Sequence, residues 1–197
     1  MARPSLREKL LDAGFQLLWK TGYAGTGVRD IVDAAGARPG SFTNHFVSKE
    51  SFAREILDRY FAYVGGLVEA ALADDGLPAA DRLRRYLDVI TGKLALEDWT
   101  RGCMIGNFSL EVACHSEPLR QRLSDIFAEW RVPFASCIAE GQAAGDITTA
   151  FSADDLADFL LSGWQGAMMR MKVDRSPEPL ERFKKIIAAA LFAKDRP

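Results

Sequence analysis

Residues 38–49 read Arg-Pro-Gly-Ser-Phe-Thr-Asn-His-Phe-Val-Ser-Lys. Phe42 and Phe46 stand four apart, the spacing of one helix face, and Ser41, Thr43, Asn44 and His45 fill the places around them. A short element built this way packs one side and offers donors and acceptors on the other. That division suits contact with base edges and phosphates. Asn44 and Ser41 are the base-reading candidates, since Asn pairs bidentately with adenine. Lys49, at the start of the next element, adds an ammonium where free helix N–H groups already favour a phosphate oxygen. Thr26, ahead of an earlier short helix, offers a hydroxyl from the opposite side.

Catalysis has less to work with. Cys103 and His115 lie in one short segment with no third orienting group, so thiol catalysis is not expected. The three cysteines, Cys103, Cys114 and Cys137, are separated by ten and twenty-two intervening residues, which fits no zinc pattern and reads as reduced thiols. No Gly-rich phosphate loop and no metal-ligand cluster occurs, so no cofactor, no metal and no enzyme activity are expected. The net charge of −2 argues against a generally basic nucleic-acid binder. Its distribution favours an anion-binding N-terminal end: residues 1–50 hold seven Lys/Arg against five Asp/Glu, and the remainder eighteen against twenty-two.

These side chains need helices to position them. Ser5 and Glu8 make a capping box ahead of Leu6, Leu10, Leu11, Leu17 and Leu18, whose spacing predicts a first helix to Lys20. Val28, Ile31, Val32 and Ala35 predict a short second helix ending at Gly36. Pro39 opens a third to about Phe46. Ser48 caps a long fourth, broken at Asp74–Pro78. A fifth carries Leu83 to Leu94, and a sixth spans about Arg101–Cys114. Ser116 caps a seventh that Pro133 should kink or interrupt, with Gly141 and Gly145 in the break beyond. Ser152 and Asp155 open an eighth, and Ser176-Pro177 a ninth. Neither strand-like alternation nor a repeat is visible. The fold class is all-α, with about nine helices: a three-helix unit, then a larger helical body. Two short helices around a glycine turn are the helix-turn-helix pattern.

The stretch TGVRDIVDAAGARPGSFTNHFVSKESF, with Gly22, Val28, Ile31, Ala35-Gly36, Gly40, His45, Phe46 and Lys49 in place, resembles the signature of the TetR family of repressors over residues 5–58. The resemblance implies a DNA-binding domain at 1–48 and a ligand-binding and dimerisation domain at 49–197. It implies contacts to double-stranded operator DNA from Thr26, Arg38, Pro39, Ser41, Thr43, Asn44, His45 and Lys49. Thr43 stands where the family usually has a phosphate-binding tyrosine. A homodimer through the predicted eighth and ninth helices would supply two half-sites, with Gly163 and Gly166 permitting close approach.

Residues 101–123, RGCMIGNFSLEVACHSEPLRQRL, resemble the electrophile- and aldehyde-responsive (NemR-like) subgroup. That likeness implies a sensing thiol at Cys103, with Lys172 as its partner on a later helix. A thiolate at a helix start is the reactive form such sensing needs. Noncovalent recognition of a small organic inducer is the alternative, with Asn107, Glu111 and Trp164 as contacts. A helical small-molecule-binding protein without DNA binding is the rival of another class. With no apolar run of about 18 residues and with Glu8, Lys9 and Asp12 where a signal h-region would run, no membrane association and a cytoplasmic location are expected.

Overall fold

Local hydrogen bonding sets the helix boundaries. A computed structural model, which describes residues 5–192, contains α1 (Leu6–Thr21), α2 (Val28–Ala34), α3 (Lys49–Leu72), α4 (Ala79–Ala95), α5 (Met104–Val112), α6 (Glu117–Ala144), α7 (Ala153–Asp174) and α8 (Glu178–Leu191). No strand occurs among the described residues. The outermost parts of the two expected domains, residues 1–4 and 193–197, lie outside the described residues.

Four serines act as caps. Ser5, Ser48, Ser116 and Ser152 accept the N–H groups of Glu8, Ser51, Leu119 and Asp155 at 3.2, 3.0, 3.2 and 3.1 Å. Each satisfies one orphan donor of a helix start, worth about 1 kcal/mol.

Three expectations are corrected. The third helix is a run of turns over 39–45, which leaves eight helices among the described residues rather than about nine. Gly40, at φ +84°, leaves the helical region, and Pro39 has no N–H to donate. The Ser41 and Thr43 hydroxyls donate to Arg38 O (2.6 Å) and Gly40 O (2.9 Å), local bonds that compete with a helical ladder. The seventh predicted helix is not interrupted: α6 runs through Pro133 to Ala144. Buried Trp130, Phe134, Cys137 and Ile138 flank the proline and offset the roughly 3 kcal/mol it costs a helix interior. Gly141 lies inside α6 rather than in the break, and a Cβ there would meet Ile147 at 2.5 Å and Ala79 at 2.9 Å.

The chain forms two compact units. One runs to Tyr63 and takes in Cys103–Asp125; the other comprises Val64–Gly102 and the chain from Ile126 onward. In the first, Leu10, Leu11, Leu18, Ile31, Phe42, Phe46, Phe52, Ile56 and Leu57 form the core. The rings of Phe42, Phe46 and Phe52 lie 4.7–5.1 Å apart in three pairwise contacts. In the second, the buried Arg82 donates to Leu72 O (2.8 Å), closing the end of α3, and pairs with Glu140 of α6. Tyr86 packs on Phe134 (4.9 Å), and Lys184 of α8 bonds Asp88 of α4 (2.9 Å).

The packing of Phe52 depends on Gly14, where a Cβ would lie 2.2 Å from the ring. Alanine normally gains about 1 kcal/mol over glycine inside a helix. Here a ring locked among two others cannot retreat, and overpacking costs about 1–3 kcal/mol. Gly14→Ala is expected to lower stability in urea denaturation despite its better helix propensity.

Candidate nucleic-acid interface

Segment 38–48 divides between an aromatic side and a polar side. Phe42 and Phe46 are buried, whereas Arg38, Pro39, Gly40, Thr43, Asn44 and His45 are exposed. With few ladder hydrogen bonds of its own, the segment is held by its phenylalanines. The i→i+4 bond from Phe46 N–H to Phe42 O (2.9 Å) keeps that pair on one side.

The eight expected DNA contacts fall into two groups. Arg38, Pro39, Thr43, Asn44 and His45 face solvent. Thr26, Ser41 and Lys49 are turned inward. Thr26 is 1 % exposed; its hydroxyl donates to Gly22 O (2.8 Å) and shares a hydrogen bond with Thr21 Oγ1 (2.7 Å). Ser41 is buried with its hydroxyl on Arg38 O. Lys49 Nζ donates to Tyr23 O (2.6 Å) and lies 4.1 Å from the Tyr23 ring centroid. Burial pulls the Lys49 pKa below its ordinary value, against the opposing pull of Glu111 and Asp30. Burial also raises the Tyr23 phenol, with Glu50 adding to it.

The sequence reading missed Val47, which is almost wholly exposed between Phe46 and the Ser48 cap. Its only signal is that it falls off the four-residue apolar spacing. An apolar side chain on this face suits a thymine methyl group.

Of the expected sensing residues, Cys103, Asn107 and Glu111 belong to the first unit, and Trp164 and Lys172 to the second, on α7. Neither unit holds all five. Cys103 is the N-cap of α5, with its carbonyl accepting the Asn107 N–H (3.0 Å), and is 6 % exposed. Cys114 is exposed. Cys137 is buried against Ala79 O (3.6 Å), and burial pushes its thiol up to about 11, although Arg82 pulls it down. Trp164 is buried against Phe183 (5.5 Å), and among the described residues neither its indole N–H nor the Gln165 side-chain NH₂ has a hydrogen-bond partner. Among the described residues no group of three His, Cys, Asp or Glu could hold a metal, and no helix is long and apolar enough to cross a membrane.

Comparison with known proteins matches this architecture. The family model described as "Bacterial regulatory proteins, tetR family" matches residues 10–56, and "Tetracyclin repressor-like, C-terminal domain" matches residues 79–187. The HTH-type transcriptional repressor DhaR of Mycobacterium sp. (strain GP1) is 41% identical over 98% of this chain and 95% of its own length. A regulatory protein TetR from Rhodobacter sphaeroides superposes with a TM-score of 0.89 at 30% identity, covering 95% of this chain and 100% of that one. The reduced form of Escherichia coli NemR gives 0.82 at 27% identity, covering 98% and 100%.

Two outcomes follow from this geometry. Thr26→Val strips Gly22 O of its buried donor, so it is expected to cost about 1–3 kcal/mol in chemical denaturation. In native protein treated briefly with N-ethylmaleimide near neutral pH, peptide mass mapping should find Cys114 labelled first. Cys137, buried and with its thiol pushed up to about 11, should be labelled last.

Proposed function

The chain belongs to the TetR family of DNA-binding transcription regulators, and on that premise we propose that it is a dimeric repressor of the cytoplasm whose hold on a palindromic operator is released by a small molecule or by modification of Cys103. The family is one of regulators rather than enzymes. The observation that carries the reading is the two-sided segment 38–48. In this reading Asn44 reads a base, Thr43 accepts from a base amino group, His45 bonds a base or a phosphate, and Arg38 supplies charge beside Pro39. The DNA-reading residues fall within 1–48, and the rest of the chain serves ligand binding and dimerisation.

The dimer rests on α7 and α8. Phe159, Met169 and Val173 are exposed on α7, at spacings that place them along one helix face with Gly166. A Cβ on Gly166 would meet nothing within 4 Å, so a second copy can approach there. Gly163 serves the chain itself, since a Cβ there would lie 2.6 Å from the Phe183 ring. Ile186 on α8 extends the apolar surface. Two such faces in contact set two recognition segments at a fixed half-site spacing.

Release is a two-state matter. A ligand that favours a different packing of the body displaces α3, whose residues belong to both units, and the recognition segments lose their register. A coupling of about 1–3 kcal/mol changes operator affinity roughly 5- to 150-fold. The place of Cys103 at the start of α5, where N–H groups favour a thiolate, supports the electrophile branch. Likeness to NemR, a repressor solved in a reduced form, supports it too. The orphan indole N–H of Trp164 supports the noncovalent branch. A buried unsatisfied donor costs about 1–3 kcal/mol, which a ligand carbonyl or carboxylate oxygen would recover.

Fluorescence anisotropy on DNA from the protein's own promoter region, in a Cys114→Ser background, separates the branches. N-ethylmaleimide is expected to release the protein, while a further Cys103→Ser change keeps it bound. If neither protein releases, the electrophile branch fails and the noncovalent one stands. For the dimer, Val173→Glu is expected to sediment as a folded monomer; an unchanged dimer would move the interface away from α7.

A further inference from the structure

The turn between α1 and α2 is gripped from two sides by residues far away in the chain. From α3, Lys49 Nζ donates to Tyr23 O at 2.6 Å and covers the Tyr23 ring at 4.1 Å. From α5, Glu111 Oε2 accepts the Ala24 N–H at 2.8 Å. Glu111 also fills the space beside Gly22, where a Cβ would lie 2.2 Å from Oε1. Gly22 holds φ at +79°, a conformation that suits glycine, so the carboxylate takes the place a side chain would need. Phe108, one helical turn before Glu111, packs edge-on against Tyr23 at 5.8 Å. Thr26 closes the turn through its bond to Gly22 O.

This grip matters for DNA binding because α2 begins two residues after Thr26 and is only seven residues long. A helix of that length does not fix its own direction; packing and its entry turn do so. The exposed Arg38, Thr43, Asn44 and His45 follow α2 directly, so their aim depends on the same turn.

We propose that Lys49 and Glu111 are positioning residues for operator binding: they fix the Gly22–Thr26 turn and hence α2, and Lys49 acts through Tyr23 rather than by bonding a phosphate. The inference rests on the repressor reading above. To reach a phosphate, the Lys49 ammonium would have to give up both a carbonyl and an aromatic face, which together are worth more than one exposed ion pair. Glu111 links α5, the helix that Cys103 caps, to the DNA-binding face within one compact unit.

Salt dependence distinguishes positioning from phosphate contact. Each phosphate contact contributes about 0.9 to the slope of log K against log salt, so losing one per subunit lowers a dimer's slope by about 1.8. Promoter-DNA affinity should be measured over a salt series for wild type, Lys49→Gln, Glu111→Ala and Glu111→Gln. Amide hydrogen exchange at Ala24 and Thr26 in the free proteins, with circular dichroism, completes the set. Lys49→Gln and Glu111→Ala are expected to weaken binding about tenfold with the slope unchanged, and to speed exchange at both amides. Glu111→Gln keeps an acceptor for the Ala24 N–H and should restore most of the affinity and protection. A slope lowered by about 1.8 in Lys49→Gln, with exchange unaltered, would overturn the proposal. So would Glu111→Ala binding like wild type. If wild type binds no promoter DNA, the repressor reading fails and takes this inference with it. Failure of the inference alone shows as a wild type that binds while Lys49→Gln loses slope or Glu111→Ala binds unchanged.

Discussion

The packing of Phe42, Phe46 and Phe52 into one three-ring cluster is the constraint on which the exposed polar side of segment 38–48 depends. The segment that carries Thr43, Asn44 and His45 has no continuous helical ladder, so its backbone cannot hold those side chains in place. Burial of two phenylalanines against a third supplies the hold instead, at about 1.5–3 kcal/mol per ring. Gly14 leaves room for the third ring, and Gly40 lets the chain turn between the exposed Arg38 and the buried Phe42. Polar exposure and aromatic burial are therefore two faces of one packing solution.

Around that cluster, hydrogen-bonding residues serve two purposes. Those with solvent in front of them can bond a partner. Thr26, Ser41 and Lys49 instead satisfy backbone carbonyls of the chain itself. An inward hydroxyl or ammonium contributes by fixing where the outward ones point. The departure at Thr43 fits this logic. A threonine hydroxyl that donates to Gly40 O has only its lone pairs left for a further bond, and it lacks a tyrosine's reach.

Much of this was legible in the sequence because it is local. Four serine caps, the break at Asp74–Pro78 and the pairing of Phe42 with Phe46 follow from spacing and from the chemistry of helix starts. The third helix was misread because a proline and a polar run look like a helix start. Gly40's positive φ and the competing Ser41 and Thr43 hydroxyl bonds emerge only in three dimensions. The continuity of α6 through Pro133 was hidden for a related reason: buried side chains on both sides outweigh a local penalty. The inward turn of Lys49 could not be read at all. Its partner lies twenty-six residues earlier, and no periodicity joins them. The contact of Glu111 with Ala24, eighty-seven residues apart, is equally silent in the sequence.

The central claim is that the exposed polar side of segment 38–48 reads DNA sequence. The direct measurement is the affinity of Asn44→Ala for promoter DNA and for a panel of single-base variants of the bound site, at one fixed salt concentration. The account predicts a loss of about 1–3 kcal/mol on the native site and a flattened preference at one adenine position in each half-site, with the salt slope and fold unchanged. An Asn44→Ala protein that binds the native site and every variant as wild type does would contradict it.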